Sequence, residues 1–421
     1  MKRLTCVASL VLAGCGDSRP AEIPPEVLQV EFEQVPFETS IEYVTDMAFV
    51  PDGSGEFVAI GLSGEFELAR LAAEPEQGVA PLLSGRFTDV FTEFDAGMLG
   101  LALDPNFIDN DLFYIATNIA RDHVQVRRYT LDRSSFERTR NSEVIIIDLP
   151  TPGSPRWHNI SSLGFDDEGV MWVLVGDRGL FDPAQDPTGI LGSLIRIIPS
   201  TEDGVGGFTI PDDAPLYEPG ADPSVHSIGI RSPWKGRYHE GRWYYGDVGL
   251  DDFEEVNVIG APGTNLGWPV VEGLCADDVF DSDPDCELYT DPDIAYGRSS
   301  SEPFVRDDLD ANPTGLRSVY VGWIYQPVAD DPYAGLWNDV MVFGDAFLGF
   351  MRAASLDDLG ASWHLGHLDL PTAWGQGPDG FVYVTSYMQA PPDPLEPKGT
   401  DAQGESALYR IVLDADRDDS E

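Results

Sequence analysis

The sequence predicts an all-β protein, a six-bladed β-propeller whose blades are four-stranded antiparallel sheets. One pattern recurs six times: an alternating apolar strand, a turn, and a second strand rich in Val, Tyr or Phe. Helical periodicity is nearly absent, and 43 glycines and 33 prolines interrupt the 421-residue chain throughout. Repeated strand pairs of this kind are typical of propeller blades, and six four-stranded blades require roughly 350–400 residues.

The copies of this pattern follow one another at irregular spacing, which indicates loops of different length between blades. Several of the turns contain Asp-Gly or Glu-Gly, where glycine accepts a positive φ. The copies begin at Met47, Leu99, Leu163, Gly229, Val319 and Ala373. Two β-sandwiches are the alternative, but they would require a linker near the middle of the chain, and none is recognisable there.

The two ends of the chain should close the ring. We expect the last predicted strand, residues 407–413, to pair with strand residues around 27–35, because joining the ends removes open sheet edges. The propeller is therefore assigned to residues 27–415, with its longest insertion at about 273–317. Residues 416–421 form an acidic tail.

The N-terminus has the features of an export signal. Lys2 and Arg3 precede about ten mostly apolar residues, a length that suits a signal peptide and is too short to span a bilayer. Residues 12–15, Leu-Ala-Gly-Cys, resemble the bacterial lipobox. The resemblance implies that residues 1–14 are a signal peptide and that Cys15 carries a lipid; an ordinary signal peptide is the alternative. With residues 15–26 as a Pro-rich tether, we predict an exported lipoprotein, periplasmic or on the cell surface.

The charge of the chain excludes two classes of partner. It has 73 Asp and Glu against 25 Lys and Arg, a formal net charge of −48. Such a charge repels nucleic acid and anionic membranes. We therefore expect no nucleic-acid partner, and contact with a membrane only through the lipid on Cys15.

Two of the four cysteines remain after the signal and the anchor are set aside. Cys275 and Cys286 lie close together in an acidic loop of a chain predicted to be exported, which indicates a disulfide. A zinc site is the alternative, but two thiols are an incomplete ligand set and no histidine lies nearby. The same loop imitates the start of an EF-hand at 281–285, yet Cys286 and Pro292 stand where that motif needs Gly and Glu.

The stretch from Gly246 to Pro269 is the richest in candidate ligands. A short apolar strand ends in Gly-Asp-Val-Gly, and carboxylates follow at close intervals: Asp247, Asp251, Asp252, Glu254 and Glu255. Carboxylates packed beside backbone carbonyls that glycine leaves free suit Ca²⁺. A solvated acidic turn in a very acidic protein is the alternative interpretation.

Several motifs, in order along the chain, resemble the soluble glucose/sorbosone dehydrogenase family. That family includes aldose sugar dehydrogenases that use pyrroloquinoline quinone (PQQ) and the propeller of hedgehog-interacting proteins. The motifs are the GMLGLALDPNF stretch from Gly97, His158 with the GDRG of residues 176–179, the GIRSP of residues 229–233, and GDVG, EEVN and NLGWP between residues 246 and 269. The resemblance implies a six-bladed propeller over nearly the whole mature chain.

The resemblance also implies a quinoprotein site at the wide mouth of the propeller. His158 would take the proton of a sugar hydroxyl while hydride passes from C1 to PQQ, and Asp177 would orient His158. Backbone carbonyls of Gly249 and Leu250 would bind one Ca²⁺, and Glu254 and Glu255 a second. Residues expected to contact the cofactor are Arg231, Ser232 and Asp95. The expected partners are an aldose or other small polyol and a possible onward electron acceptor.

Without the resemblance, each catalytic candidate has a plain structural interpretation. His158 could be a packed core histidine, Asp177 could close a tight turn, and Arg231 could pair with a surface carboxylate. The chain also departs from PQQ-binding members of the family. Phe347 stands where they have a lysine, Leu370 and Thr372 where they have an arginine pair, and Ser232 where they have Asn.

These departures keep other functions open. The chain could be a calcium-stabilised propeller that binds a sugar or a protein without redox chemistry. A calcium lactonase of the gluconolactonase kind shares the six-bladed architecture, but the motifs fit it less well.

Overall fold

A computed structural model describes residues 30–154, 157–214, 217–275, 285–298, 316–387 and 406–413. The predicted signal peptide with Cys15, the tether, the acidic tail and most of the EF-hand-like string at 281–285 lie outside these residues. Among the described residues, helix is confined to short segments: α1 (Phe107–Asn110), α2 (Phe136–Asn141) and single 3-10 turns. None of these helices is long and apolar enough to cross a bilayer.

The first three blades follow one another along the chain, and each is built on four antiparallel strands. Blade 1 contains β2 (Val44–Phe49), β3 (Glu56–Gly61), β4 (Glu65–Leu71) and β5 (Val79–Arg86). Blade 2 contains β6 (Met98–Leu103), β7 (Leu112–Ala120), β8 (His123–Thr130) and β9 (Val144–Pro150). Blade 3 contains β10 (Ile160–Phe165), β11 (Met171–Val175), β12 (Ser193–Pro199) and β14 (Val225–Ile228), extended by β13 (Phe208–Thr209) and β18 (Thr264–Asn265).

The other three blades repeat the arrangement. Blade 4 contains β15 (Pro233–His239), β16 (Arg242–Asp247), β17 (Phe253–Ile259) and β19 (Ile294–Gly297). Blade 5 contains β20 (Val319–Ile324), β21 (Val340–Asp345), β22 (Phe350–Ser355) and β23 (Asp358–His367). Blade 6 contains β24 (Pro371–Gln376), β25 (Val382–Tyr387), β26 (Ser406–Leu413) and β1 (Val30–Val35).

The blades form a closed ring, which confirms the predicted six-bladed propeller. The first strand of each blade contacts the first strand of the next, in the order β2, β6, β10, β15, β20, β24 and back to β2. Each of the six repeated patterns in the sequence supplies the first two strands of one blade. All six first strands also carry a register shift against the second strand, an irregularity that re-aims side chains where the strand begins.

The hydrophobic core is divided into six clusters, one at each contact between neighbouring blades. Between blades 3 and 4, for example, Trp172 stacks on Trp243 with ring centroids 6.4 Å apart. Burial of apolar side chains at these contacts stabilises the fold by roughly 25 cal/mol per Å² of apolar surface removed from water. Each blade is therefore held in place chiefly by its contacts with its two neighbours.

The ring closes through blade 6, as predicted. β1 pairs antiparallel with β26 in register from Val30 opposite Leu413 to Val35 opposite Leu408. The two described ends of the chain therefore share one sheet, and no blade is left with only one neighbour.

The predicted insertion at 273–317 includes part of the propeller itself. Residues Ile294–Gly297 form β19, the outer strand of blade 4, paired with β17. The predicted disulfide between Cys275 and Cys286 is present, with the two Cα atoms 5.8 Å apart. Residues 276–284 and 299–315, which also belong to this segment, lie outside the described residues.

Candidate functional site

A cavity of about 370 Å³ opens at the end of the propeller where the first strands begin. All six blades contribute residues at or just before the start of those strands: Tyr43, Leu99, Asn159, Ser232, Ser318 and Leu370. Among the predicted site residues, those that line the cavity are Asp95, His158, Arg231, Ser232, Gly249 and Leu250. Asp177, Glu254 and Glu255 lie behind this lining.

His158 and Asp177 form a buried pair at the cavity wall. Nδ1 of His158 lies 2.5 Å from Oδ1 of Asp177, and their side chains are 8% and 0% exposed. Asp177 also accepts hydrogen bonds from Trp268 Nε1 at 2.8 Å and Gly179 N at 2.6 Å. Burial alone would raise the pKa of Asp177, but these bonds and the nearby histidine lower it below its ordinary value. A carboxylate held ionised at Nδ1 fixes the proton there and leaves Nε2 able to accept another.

The backbone of His158 is held as firmly as its ring. Its N–H donates to Oδ2 of Asp95 at 2.8 Å, and its φ of 55° lies in the left-handed region. Gly176 makes room for this conformation, because a Cβ there would lie 2.4 Å from the carbonyl oxygen of His158. Non-glycine residues in this region cluster at functional sites.

Arg231 and Ser232 are tied to the wall by Asp247, the first carboxylate of the acidic stretch. Asp247 accepts from the backbone N–H of Arg231 at 2.9 Å and of Ser232 at 2.6 Å. Burial raises the pKa of Asp247 to about 7 despite these donors. The guanidinium of Arg231 donates to the carbonyl of Val248 at 2.6 Å and lies 5.1 Å from the ring centre of Trp268.

The turn that carries Gly249 and Leu250 is organised around Glu272, which the sequence did not single out. Oε1 of Glu272 accepts from four successive backbone N–H groups, those of Leu250, Asp251, Asp252 and Phe253, at 2.7–3.3 Å. Only glycine fits at position 249, because a Cβ there would lie 1.6 Å from the carbonyl oxygen of Phe253. Within the described part of the chain, the carbonyls of Gly249 and Leu250 accept no hydrogen bond.

Glu254 and Glu255 lie on opposite faces of β17, as the strand period of two requires. Glu254 is fully buried, paired with Arg298, and accepts from the N–H of Val319 at 2.8 Å. Glu255 accepts from Gly273 N at 2.6 Å and Asn257 Nδ2 at 3.1 Å. Their carboxylates do not converge on one point, and over the described ranges no cluster of three or more His, Cys, Asp or Glu has the geometry of a metal site.

Two of the three positions where the sequence lacks the family's cations do face the cavity. Phe347 and Leu370 line it with apolar surface. Thr372 is buried away from it and lies 2.9 Å from Thr385, hydroxyl to hydroxyl.

Two other cations, absent from the sequence prediction, take part in the same lining. Arg298 follows β19 and Arg317 precedes β20, and both border the cavity together with Arg231. They stand on either side of residues 299–315, outside every recognised motif. The only signal available was their rarity, since Lys and Arg number 25 in the whole chain.

Aromatic rings form the rim next to His158. Trp157 is 42% exposed, and its ring centre lies 6.2 Å from that of Phe94 and 6.5 Å from that of His158. An exposed aromatic face beside a cavity is the kind of surface on which flat, partly apolar ligands pack.

Comparison with known families identifies one match. The sequence model described as "Glucose / Sorbosone dehydrogenase" matches residues 41–299. The chain is 26% identical over 282 residues to the HIPL1 protein of Arabidopsis thaliana, covering 53% of this chain and 40% of that protein. It is 25% identical over 274 residues to the aldose sugar dehydrogenase YliI of Escherichia coli, covering 63% of this chain and 66% of that protein. The matched part thus spans less than two thirds of these relatives.

Solved structures share the fold at low identity. The apo form of the soluble aldose sugar dehydrogenase from Escherichia coli superposes with a TM-score of 0.66 at 20% identity, covering 91% of this chain and all of that one. The PQQ-bound form of an aldose sugar dehydrogenase from Streptomyces coelicolor gives a TM-score of 0.64 at 15% identity, covering 92% of this chain and 99% of the other.

Proposed function

Since this chain belongs to the glucose/sorbosone dehydrogenase family, we propose that it is an aldose dehydrogenase that uses PQQ and oxidises a sugar at C1. One observation carries the proposal: an imidazole fixed by a buried carboxylate borders a cavity to which all six blades contribute. The relatives named as aldose sugar dehydrogenases, and the PQQ-bound structure among the neighbours in fold, support the cofactor and the substrate class.

In this proposal His158 is the general base. With its Nδ1 proton held by Asp177, Nε2 accepts the proton of the anomeric hydroxyl, a role for which histidine is the side chain most often used. PQQ, when bound with Ca²⁺, supplies the hydride acceptor. Two further carboxylates hold the lining residues in position. Asp95 fixes the backbone of His158, and Asp247 fixes the backbone of Arg231 and Ser232.

Calcium in this proposal binds at the turn of residues 249–250. Glu272 gathers the amide groups of the turn on one side, which leaves the carbonyls of Gly249 and Leu250 without donors beside the cavity. Carbonyl oxygens are ligands that Ca²⁺ accepts readily. For a second ion we propose Glu255 alone of the glutamate pair, because Glu254 is paired with Arg298.

The experiment is reconstitution. Residues 16–421 are purified, Ca²⁺ and PQQ are added, and aldose-dependent reduction of an artificial electron acceptor is measured together with the PQQ absorbance kept after desalting. We expect turnover and retained PQQ. The matched control is His158→Gln, which should keep PQQ and lose turnover. The proposal is rejected if no aldose gives turnover and no PQQ absorbance remains after desalting.

A non-catalytic propeller that binds a carbohydrate or a protein is the second candidate. The apolar side chains of Phe347 and Leu370 in the cavity favour it, because each replaces a cation of the PQQ-binding members. It predicts stabilisation by Ca²⁺ in the reconstitution experiment with no bound quinone.

A further inference from the structure

We infer that the carboxylates of the cofactor are bound by three arginines, Arg231, Arg298 and Arg317, and that the last two take the place of the missing cations at Phe347 and Leu370. This inference rests on the proposed function. It identifies which residues of this chain hold PQQ and predicts that the cofactor's negative charges face the junction of blades 4 and 5.

The three arginines reach one cavity from separate points of the fold. Arg231 lies just before β15, the first strand of blade 4, and Arg298 just after β19, the last strand of that blade. Arg317 lies just before β20, the first strand of blade 5. The ring of blades, and no local motif, brings them together.

Arg317 has hydrogen-bonding capacity that the protein does not use. It is only 7% exposed, and over the described residues its guanidinium makes one hydrogen bond, from Nη1 to the carbonyl of Leu316 at 2.9 Å. No carboxylate of the described chain lies within ion-pair distance of it. Among the described residues its buried Nε, like that of Arg231, has no partner. A guanidinium at a cavity wall whose donors the protein leaves unused is able to donate to a ligand.

The three positive charges also act on one another. Burial, together with the charges of Arg231 and Arg317, lowers the pKa of Arg298 to about 10 in spite of nearby carboxylates. Among the described residues Arg298 is ion-paired with Glu254, whereas Arg231 and Arg317 form no ion pair and leave their positive charge available to an anion. A small ligand with several carboxylates would offset this repulsion.

The chemical composition of the cavity lining suits the same ligand. Guanidinium groups bind carboxylates through paired, charge-assisted hydrogen bonds. Apolar lining from Phe347, Leu370 and Trp234 completes the wall and suits a flat ring system. PQQ combines a flat ring system with three carboxylates. Its rings therefore match the apolar part of the lining, and its carboxylates match the arginines.

The test is PQQ affinity, measured by titration calorimetry with Ca²⁺ present and without any sugar. Arg317→Gln should raise the dissociation constant about 10- to 100-fold, the loss expected for a charge-assisted bond. Arg317→Lys should lose less affinity for PQQ than Arg317→Gln does. Arg86→Gln is the control, since Arg86 is a surface residue whose side chain is 57% exposed, and its affinity should match the wild type.

The trimethyl ester of PQQ separates a binding role from a structural one. The wild type should bind the ester more weakly than PQQ by at least the factor that Arg317→Gln loses. Arg317→Gln should discriminate less between PQQ and the ester than the wild type does, because only Arg231 and Arg298 remain. The same dissociation constant for PQQ in the wild type and in Arg317→Gln would overturn the inference and leave the proposed function intact. If Arg317→Gln does not fold, equal binding of PQQ and the ester by the wild type overturns it. No PQQ binding by the wild type rejects the proposed function itself.

Discussion

His158 combines a constrained backbone, a fixed proton and access to the cavity. Its φ of 55° is sterically costly for a residue with a side chain, by roughly 1–3 kcal/mol, and the hydrogen bonds to Asp95 and Asp177 hold it there. An ionised carboxylate at Nδ1 is the arrangement that the proposed base requires. Whether His158 acts as that base or packs in the wall is decided by removing this carboxylate.

Asp177→Asn tests this role. An amide can donate to Nδ1, which shifts the ring proton to Nε2 and removes the base. We expect kcat of the reconstituted protein to fall about 10²- to 10⁴-fold with PQQ affinity unchanged. Asp213→Asn, at a carboxylate 71% exposed, is the control and should keep full activity. An activity within twofold of the wild type in Asp177→Asn would show that His158 does not depend on this partner.

The turn between β16 and β17 shows how one buried side chain can shape a whole element. Four successive amides point at Oε1 of Glu272, which is only 2% exposed. Burial raises the pKa of Glu272, and the four donors oppose that shift. We therefore expect this carboxylate to hold the conformation of the turn that brings Gly249 and Leu250 to the cavity.

Removing that carboxylate should loosen the turn. Glu272→Ala is expected to lower the free energy of unfolding by roughly 2–3 kcal/mol, the cost of charged hydrogen bonds left unmade. Urea unfolding measures the loss, and hydrogen exchange should become faster at the amides of residues 250–253. Glu76→Ala, at a side chain 74% exposed, should change neither. Unchanged exchange at these amides in Glu272→Ala would contradict the role given to Glu272.

At the scale of the whole molecule, protonation of one buried group is linked to unfolding of the entire ring. His226, in β14, is 5% exposed and packs on Trp172 with ring centres 4.9 Å apart. Burial, with repulsion from Arg196, lowers the pKa of His226 to about 4. The unfolded chain therefore binds more protons than the folded one between about pH 4 and 6.5, and stability rises with pH in that window.

His226→Gln should remove this dependence. As the pH falls from 6.5 to about 4, the wild type should lose roughly 2–3 kcal/mol more stability than the variant. Urea unfolding at a series of pH values measures the difference, and His367→Gln, at a partly exposed histidine, is the control. Parallel pH profiles for the wild type and His226→Gln would show that His226 does not carry the effect.

Local patterns allowed the blades to be predicted but only part of the site. Alternation and turn residues are local, so all six strand pairs were recognisable, and the motifs marked His158, Arg231 and Gly249. The positions of Arg298 and Arg317 depend on how blades 4 and 5 meet, which no short pattern records. The divergence of Glu254 and Glu255 was implicit in the strand period, yet the family resemblance assigned them a joint ligand role.

The shared sheet of β1 and β26 has a consequence for biosynthesis. While the ribosome is making the chain, β1 has no partner until Ser406–Leu413 has been translated, so blade 6 is completed after the other five blades have been synthesised. Truncation of the chain before Ser406 would leave β1 without its partner and β25 with an open edge.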